Sequence, residues 1–185
     1  MMNQGQNRGM PRPGAEIQEK TYDERVVYIN RVARVVKGGR RFRFQALVVI
    51  GDHKGKVGVG VNKGADVTAA VNKATEVAKK SIVKVPLYKG TLTHDVQAKV
   101  GGAHILILPA APGTGLIAGG VVRTVLEVTG VENALSKSIG STNRVNIAYA
   151  TIKALQDMRP SHKWVGAKKA ADKKTAEKKV QAATK

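Results

Sequence analysis

The sequence predicts an α+β fold in two domains: a β-β-β-α unit over residues 21–85 and a β-β-α-β-α unit over residues 86–159. Three observations lead there. Period-two hydrophobic alternation comes in consecutive runs separated by glycine turns, with helical spacing only after the runs, so strands are grouped rather than interleaved with helices. Pro86, in KVPLYKG, interrupts the chain where the first helical pattern ends, and a fresh strand pattern begins beyond it. The charge also changes there. Residues 20–84 carry fifteen basic and five acidic side chains, residues 85–159 seven and four.

In the first unit, Arg31 to Val36 predicts a strand, followed by a KGGR turn. From Phe42 the alternation places Phe42, Phe44, Ala46, Val48 and Ile50 on one face, with both phenylalanines expected in the core. Arg41, Arg43 and Gln45 share the other face, which gives way to Leu47 and Val49. GDHKG, Gly51 to Gly55, is a second turn. The strand from Lys56 to Val61 sets Val57, Val59 and Val61 opposite Gly58 and Gly60, and two glycines on one face predict a closely approaching backbone. A helix is expected over about Ala65–Val83, with an apolar stripe through Val67, Ala70, Val71, Ala74, Val77, Ala78 and Ile82. A short helix around Ile17–Arg25 is expected to precede the sheet.

In the second unit, Leu92, His94, Val96, Ala98 and Val100 predict a strand with one wet face. Gly101-Gly102 turns it into AHILIL, an apolar run expected of a buried strand. APGTGLIAGG leads into a helix that stops at Gly130. A strand around Leu135–Ile139 follows, then GSTN offers capping side chains to a helix over Arg144–Met158, with Val145, Ala148, Ile152 and Leu155 as its apolar positions.

Residues 1–20 and 160–185 read as flexible extensions, the second carrying lysine pairs at 168–169, 173–174 and 178–179. The amino-terminal segment has no apolar run and is not expected to be a signal peptide. Residues 103–122 lack charge but contain Pro109, Pro112 and several glycines, which argues against a membrane span. The chain has no cysteine, which removes disulfides and thiolate metal sites and fits a reducing compartment.

Over all 185 residues the formal net charge is +19, which implies a polyanionic partner, nucleic acid first. Arg31, Arg34, Lys37, Arg40, Arg41 and Arg43 surround the first turn; Lys54 and Lys56 flank the second, and Lys63 follows. Such a concentration with almost no acids among it predicts phosphate contact. Aromatic residues are only 4% of the chain, so base stacking is not expected as the main mode. GTGLIA fits a dinucleotide-binding turn, but no repeated βαβ pattern surrounds it. Its glycines are expected to allow a tight turn, with Gly119 and Gly120 letting the following helix sit close to its sheet. The histidines share no ligand spacing, the acids do not cluster, and no catalytic residue, metal, cofactor or small-molecule substrate is expected. A kinase-like domain and a free-standing regulatory RNA-binding protein are the alternatives. The first lacks a phosphate-binding helix start with an acid for magnesium.

Residues Gly39 to Ala74, together with GTLTHDV, PGTGLIAGGVVRTVLEVTGV and GSTN in order downstream, resemble the fifth small-subunit ribosomal protein of the bacterial type. The resemblance covers about Val26 to Met158. It implies a first domain similar to a double-stranded-RNA-binding fold and a second with a left-handed βαβ crossover. It implies a structural protein of the cytoplasmic ribosome that binds small-subunit rRNA near the mRNA entry path and contacts the fourth and eighth small-subunit proteins. The loop by the spectinomycin site matches Val32 to Arg40, including Ala33, Lys37, Gly38 and Gly39. Residues matching Gly113, Gly115 and Arg123 are implied at the fidelity-related interface with the fourth protein. The first helix opens with Asp66 rather than a lysine cluster, which argues against groove-spanning duplex recognition.

Overall fold

A computed structural model describes residues 22–160; the expected terminal extensions lie outside the described residues. The first sheet contains β1 (Asp23–Val36), β2 (Gly39–Gly51), β3 (Lys56–Gly64) and, after helix α1 (Val67–Lys80), the two-residue β4 (Val83–Lys84). Its order is β1-β2-β3-β4 and every pairing is antiparallel. Val26, Val27, Tyr28 and Ile29 are β-branched or aromatic, and they carry β1 back to Asp23, where a helix was expected. The rest of that expected helix lies outside the described residues, Tyr22 excepted, which is a bend.

Helix α1 packs chiefly over β3 and β2. It comes close because Gly58, Gly60 and Gly64 have no side chains: a Cβ at any of them would collide with the backbone of Ala78, Ala74 or Ala70. Ala46, Val48 and Ile50 fill the small core beneath it with Ala70, Ala74 and Ala78.

The second half begins with a ribbon of β5 (Leu87–Tyr88) and β6 (Thr91–Leu92), then β7 (Val96–Val100), β8 (Ala103–Pro109), β9 (Leu116–Ile117), α2 (Gly120–Thr129), β10 (Ala134–Gly140) and α3 (Arg144–Gln156). The sheet order is β7-β8-β10-β9, and β9 runs parallel to β10 with α2 connecting them. The strand expected through Leu92–Val100 is interrupted between β6 and β7, and Thr93, expected on its wet face, is buried. Strand β9 is a short addition inside the glycine loop. Gly130 closes α2 in the left-handed conformation, φ +91°, and the Asn143 carboxamide oxygen caps α3 by accepting from the Val145 N–H at 3.1 Å.

The larger core joins the two halves. Leu47, Val49, Val57 and Val59, on the first sheet's face away from α1, are buried with Val122, Val125, Leu126, Ala148, Ile152 and Leu155 of α2 and α3. The first sheet is thus covered on both faces near β3. Helix α3 is buried over most of its surface, with Ile147, Ala150, Thr151 and Ala154 inside as well as Ala148, Ile152 and Leu155 of the expected stripe; Val145, the stripe's first residue, is only half-buried. Toward its tip, the β1–β2 hairpin leaves both layers and stands exposed.

Candidate nucleic-acid interface

The exposed hairpin is built on a two-residue turn: Val36 pairs with Gly39, leaving Lys37 and Gly38 at the tip. Gly38 has φ +89°, a conformation that glycine adopts without steric cost. About six residues of β2 lie between the tip and Phe44, roughly 20 Å of strand.

Alternation sends the hairpin's cations to two faces. On the face toward the second half, Arg34 pairs directly with Arg41 and Val32 with Arg43, while Lys63 of β3 pairs with Gln45 in the next row. Arg34, Arg41, Arg43 and Lys63, with Val32, Ala33 and Val36, line a groove of about 250 Å³. Arginine directly across from arginine is unfavourable in a ladder. No carboxylate offsets it: from Val26 to Gly51 there is no acidic residue. Among the described residues, the Lys and Arg ion pairs all lie elsewhere, on Arg25, Lys79 and Arg123.

The other face carries Arg31, Arg40 and Phe42. Phe44 packs against the core under α1, as expected, but Phe42 is 47% exposed and the Arg31 guanidinium lies 3.7 Å from its ring centroid. Phe42 therefore departs from the expected core position, because the hairpin outruns the helix that would have covered it.

Lys54 and Lys56 are not brought to this cluster. They flank the β2–β3 turn at the far end of β2, roughly 40 Å from the tip along the strand. That turn is a junction with the second half: the His53 and Gly55 N–H groups donate to the Val128 and Thr129 carbonyls at 3.1 and 2.9 Å. Within it, Asp52 accepts from the Lys54 and Lys56 N–H groups, both at 2.8 Å. Burial opposes ionisation of Asp52, but these backbone donors and the Lys56 charge outweigh it and hold the carboxyl below its ordinary value.

The sequence did not indicate an ionic clasp beside this turn. Glu127 of α2 accepts from Arg123 Nε at 2.9 Å and from Arg25 Nη1 of β1 at 2.9 Å. His53, in a left-handed conformation with φ +54°, sets Nδ1 2.9 Å from the Glu127 carbonyl and Nε2 3.2 Å from Asp23 Oδ2. Arg25 and Glu127 are 102 positions apart, so no local spacing announces the contact. The buried Asn133 was likewise missed. Its carboxamide oxygen accepts from the Gly113 and Gly115 N–H groups at 3.1 and 2.9 Å, fixing a loop in which both glycines have positive φ.

Gly119 and Gly120 were expected to let α2 approach its sheet, but no atom outside their own chain neighbourhood lies within 4 Å of a Cβ placed at either. They line an open cleft of about 490 Å³ with Val26, Val27, Thr142 and Arg144. The glycines that admit a helix are those under α1, and Gly51, where a Cβ would collide with the Val128 carbonyl of α2. Among the described residues no group of His, Cys, Asp or Glu side chains is arranged to hold a metal, and no helix is long and apolar enough to cross a membrane.

A basic hairpin thus projects from one α+β unit, and the second unit packs on that unit's sheet. Comparison with protein-family models matches both parts: the amino-terminal domain of ribosomal protein S5 over residues 22–86, and its carboxy-terminal domain over residues 98–166. The chain belongs to the ribosomal protein S5 family.

Proposed function

We propose that the protein is a structural constituent of the cytoplasmic small ribosomal subunit that binds small-subunit rRNA through the β1–β2 hairpin. Its contribution is to subunit assembly and to translational accuracy near the mRNA entry path. The family is one of structural ribosomal proteins rather than enzymes. The observation that carries the reading is the hairpin itself, where Arg34 faces Arg41 with no acidic residue on either strand from Val26 to Gly51. Such an arrangement is unfavourable in the free protein and becomes favourable once phosphates neutralise it.

The site has separable parts. Arg31, Arg34, Lys37, Arg40, Arg41, Arg43 and Lys63 contact rRNA phosphates, while Lys54 and Lys56 meet RNA at a separate place. Val32, Ala33, Lys37, Gly38 and Gly39 form the loop beside the spectinomycin site. Gly113, Gly115 and Arg123 face the fourth small-subunit protein. A Cβ at Gly113 or Gly115 would meet nothing within 4 Å, so a side chain introduced there would project outward. The eighth protein is the other neighbour, with mRNA nearby. In fold terms, the three-strand meander with α1 on one face supports a double-stranded-RNA-binding-like first domain, and β9-α2-β10 is the unit we read as the left-handed crossover.

The test is rRNA binding by Arg40→Ala with Arg41→Ala, one cation from each hairpin face. The dependence of log K on log salt should flatten by about 0.7–0.9 for each phosphate that these side chains no longer neutralise. An unchanged slope would place both side chains in water. Replacement of Gly38 by a bulky residue should alter the response to spectinomycin, and unchanged sensitivity would count against the loop's placement.

A further inference from the structure

We infer that Phe42, capped on one side by Arg31, is a stacking platform for one unpaired nucleobase of the bound RNA. The inference rests on the reading that the hairpin meets RNA, and adds what the phosphate contacts do not supply: recognition of a base outside a helix. Phe42 is one of only two phenylalanines in the chain, yet it is 47% exposed on a hairpin rich in cations, which also exposes Val35 and Val36. The core does not explain it, since Phe44, two residues along the same face, packs under α1 and Phe42 does not.

The local geometry suits a base. Arg31 pairs directly with Phe44 and reaches diagonally to Phe42, its guanidinium 3.7 Å from the ring centroid. That contact orders the ring from one side while much of it stays open to solvent. Arg40 lies two residues nearer the tip on the same face, roughly 7 Å along the strand. A nucleotide stacked on Phe42 would extend its own phosphate over about that distance, so Arg40 is placed to receive it. Single-stranded bases stack on aromatic rings irrespective of sequence, because every base has a π face. A protein partner would match the ring with the neighbouring Ala33 and the exposed Val35, but not the Arg31 and Arg40 charges that flank them with no carboxylate nearby, so charge complementarity selects RNA.

The experiment uses the full chain and two RNA hairpins of equal length, one fully paired and one carrying a single unpaired adenosine. Wild-type protein should prefer the bulged RNA by about tenfold, the size of one base–aromatic stack. Phe42→Leu should lose that preference while keeping its thermal midpoint and its salt slope, since the cations remain. Phe42→Trp, made together with Trp164→Phe so that one indole reports, should keep the preference and show quenched fluorescence when the bulged RNA is added. Equal preference in wild type and Phe42→Leu, or an indole at position 42 that is not quenched, would overturn the platform and leave phosphate binding standing. If neither RNA binds the wild type in a salt-dependent way, the RNA reading of the hairpin falls and the platform falls with it. If Phe42→Leu binds both RNAs like wild type yet fails to assemble with neighbouring proteins, the ring is a protein contact and the inference is wrong.

Discussion

Reversing one charge on the hairpin should stabilise the free protein and weaken its RNA complex at the same time. The perturbation is Arg41→Glu, directly across the ladder from Arg34. With the two charged groups roughly 6 Å apart in a water-like dielectric, their repulsion is about 0.7 kcal/mol before screening. Screening by a Debye length of about 8 Å at physiological salt leaves roughly half of it, and about four-fifths survives at 10 mM salt. Converting repulsion to attraction doubles the change, giving a stability gain of about 0.6 kcal/mol at physiological salt and about 1.1 kcal/mol at 10 mM. For a chain of this size that is a rise in thermal midpoint of about 1–2 °C at physiological salt and about 2–4 °C at 10 mM. Rejection of one phosphate should lower the slope of log K against log salt for small-subunit rRNA by at least about 0.7–0.9. The assays are thermal melting at two salt concentrations and a binding titration across a salt series. A midpoint that falls, together with an unchanged binding slope, would refute the claim that this face is held in electrostatic tension for RNA.

Gly60→Ala should cost about 1–3 kcal/mol or more, because its Cβ collides with the Ala74 carbonyl and must displace α1; chemical denaturation reads this, and a neutral result would mean that α1 sits farther from β3. Glu127→Gln breaks the pairs to Arg123 and Arg25, which are partly exposed, so the loss should be at most about 1 kcal/mol. Its clearer sign should be faster hydrogen exchange at the His53 and Gly55 amides, which bond to the end of the same helix. Asp52 has a carboxyl held below its ordinary value near 3.8, so its contribution is fully present above that value and is lost as pH falls through the native value. Asp52→Ala should therefore be less stable than wild type at neutral pH, with the gap closing in acid; a gap independent of pH would assign the effect to something other than the charge.

Much of the fold was legible because its signals are local. Alternation from Phe42 to Ile50 gave β2 and both of its faces, Gly58 and Gly60 announced the approach of α1, and Gly130 and Asn143 marked helix ends through their own backbone and side-chain chemistry. What escaped is tertiary. Alternation assigns Phe42 a face but cannot say that α1 stops short of it. Helix α3 showed one apolar stripe, yet alanines and Thr151 on its remaining surface are also buried, because it packs against α2 and strands of both sheets. The cations at the two turns looked like one group in the sequence, and the length of β2 separates them. Glu127 stands four residues from Arg123, a local spacing, but nothing announced its second partner Arg25, which lies in the other half of the molecule.

The central claim is that the hairpin tip lies against small-subunit rRNA, and the absence of cysteine from the chain makes it directly testable. A Lys37→Cys variant accepts a tethered iron reagent at a single position, and assembled small subunits containing it can be probed for RNA strand cleavage. Strong, localised rRNA cleavage is predicted from position 37, with markedly weaker cleavage of the same nucleotides from a Lys54→Cys variant at the far end of β2. Absence of cleavage from position 37 in an assembled subunit, or the same pattern from both positions, would contradict the claim.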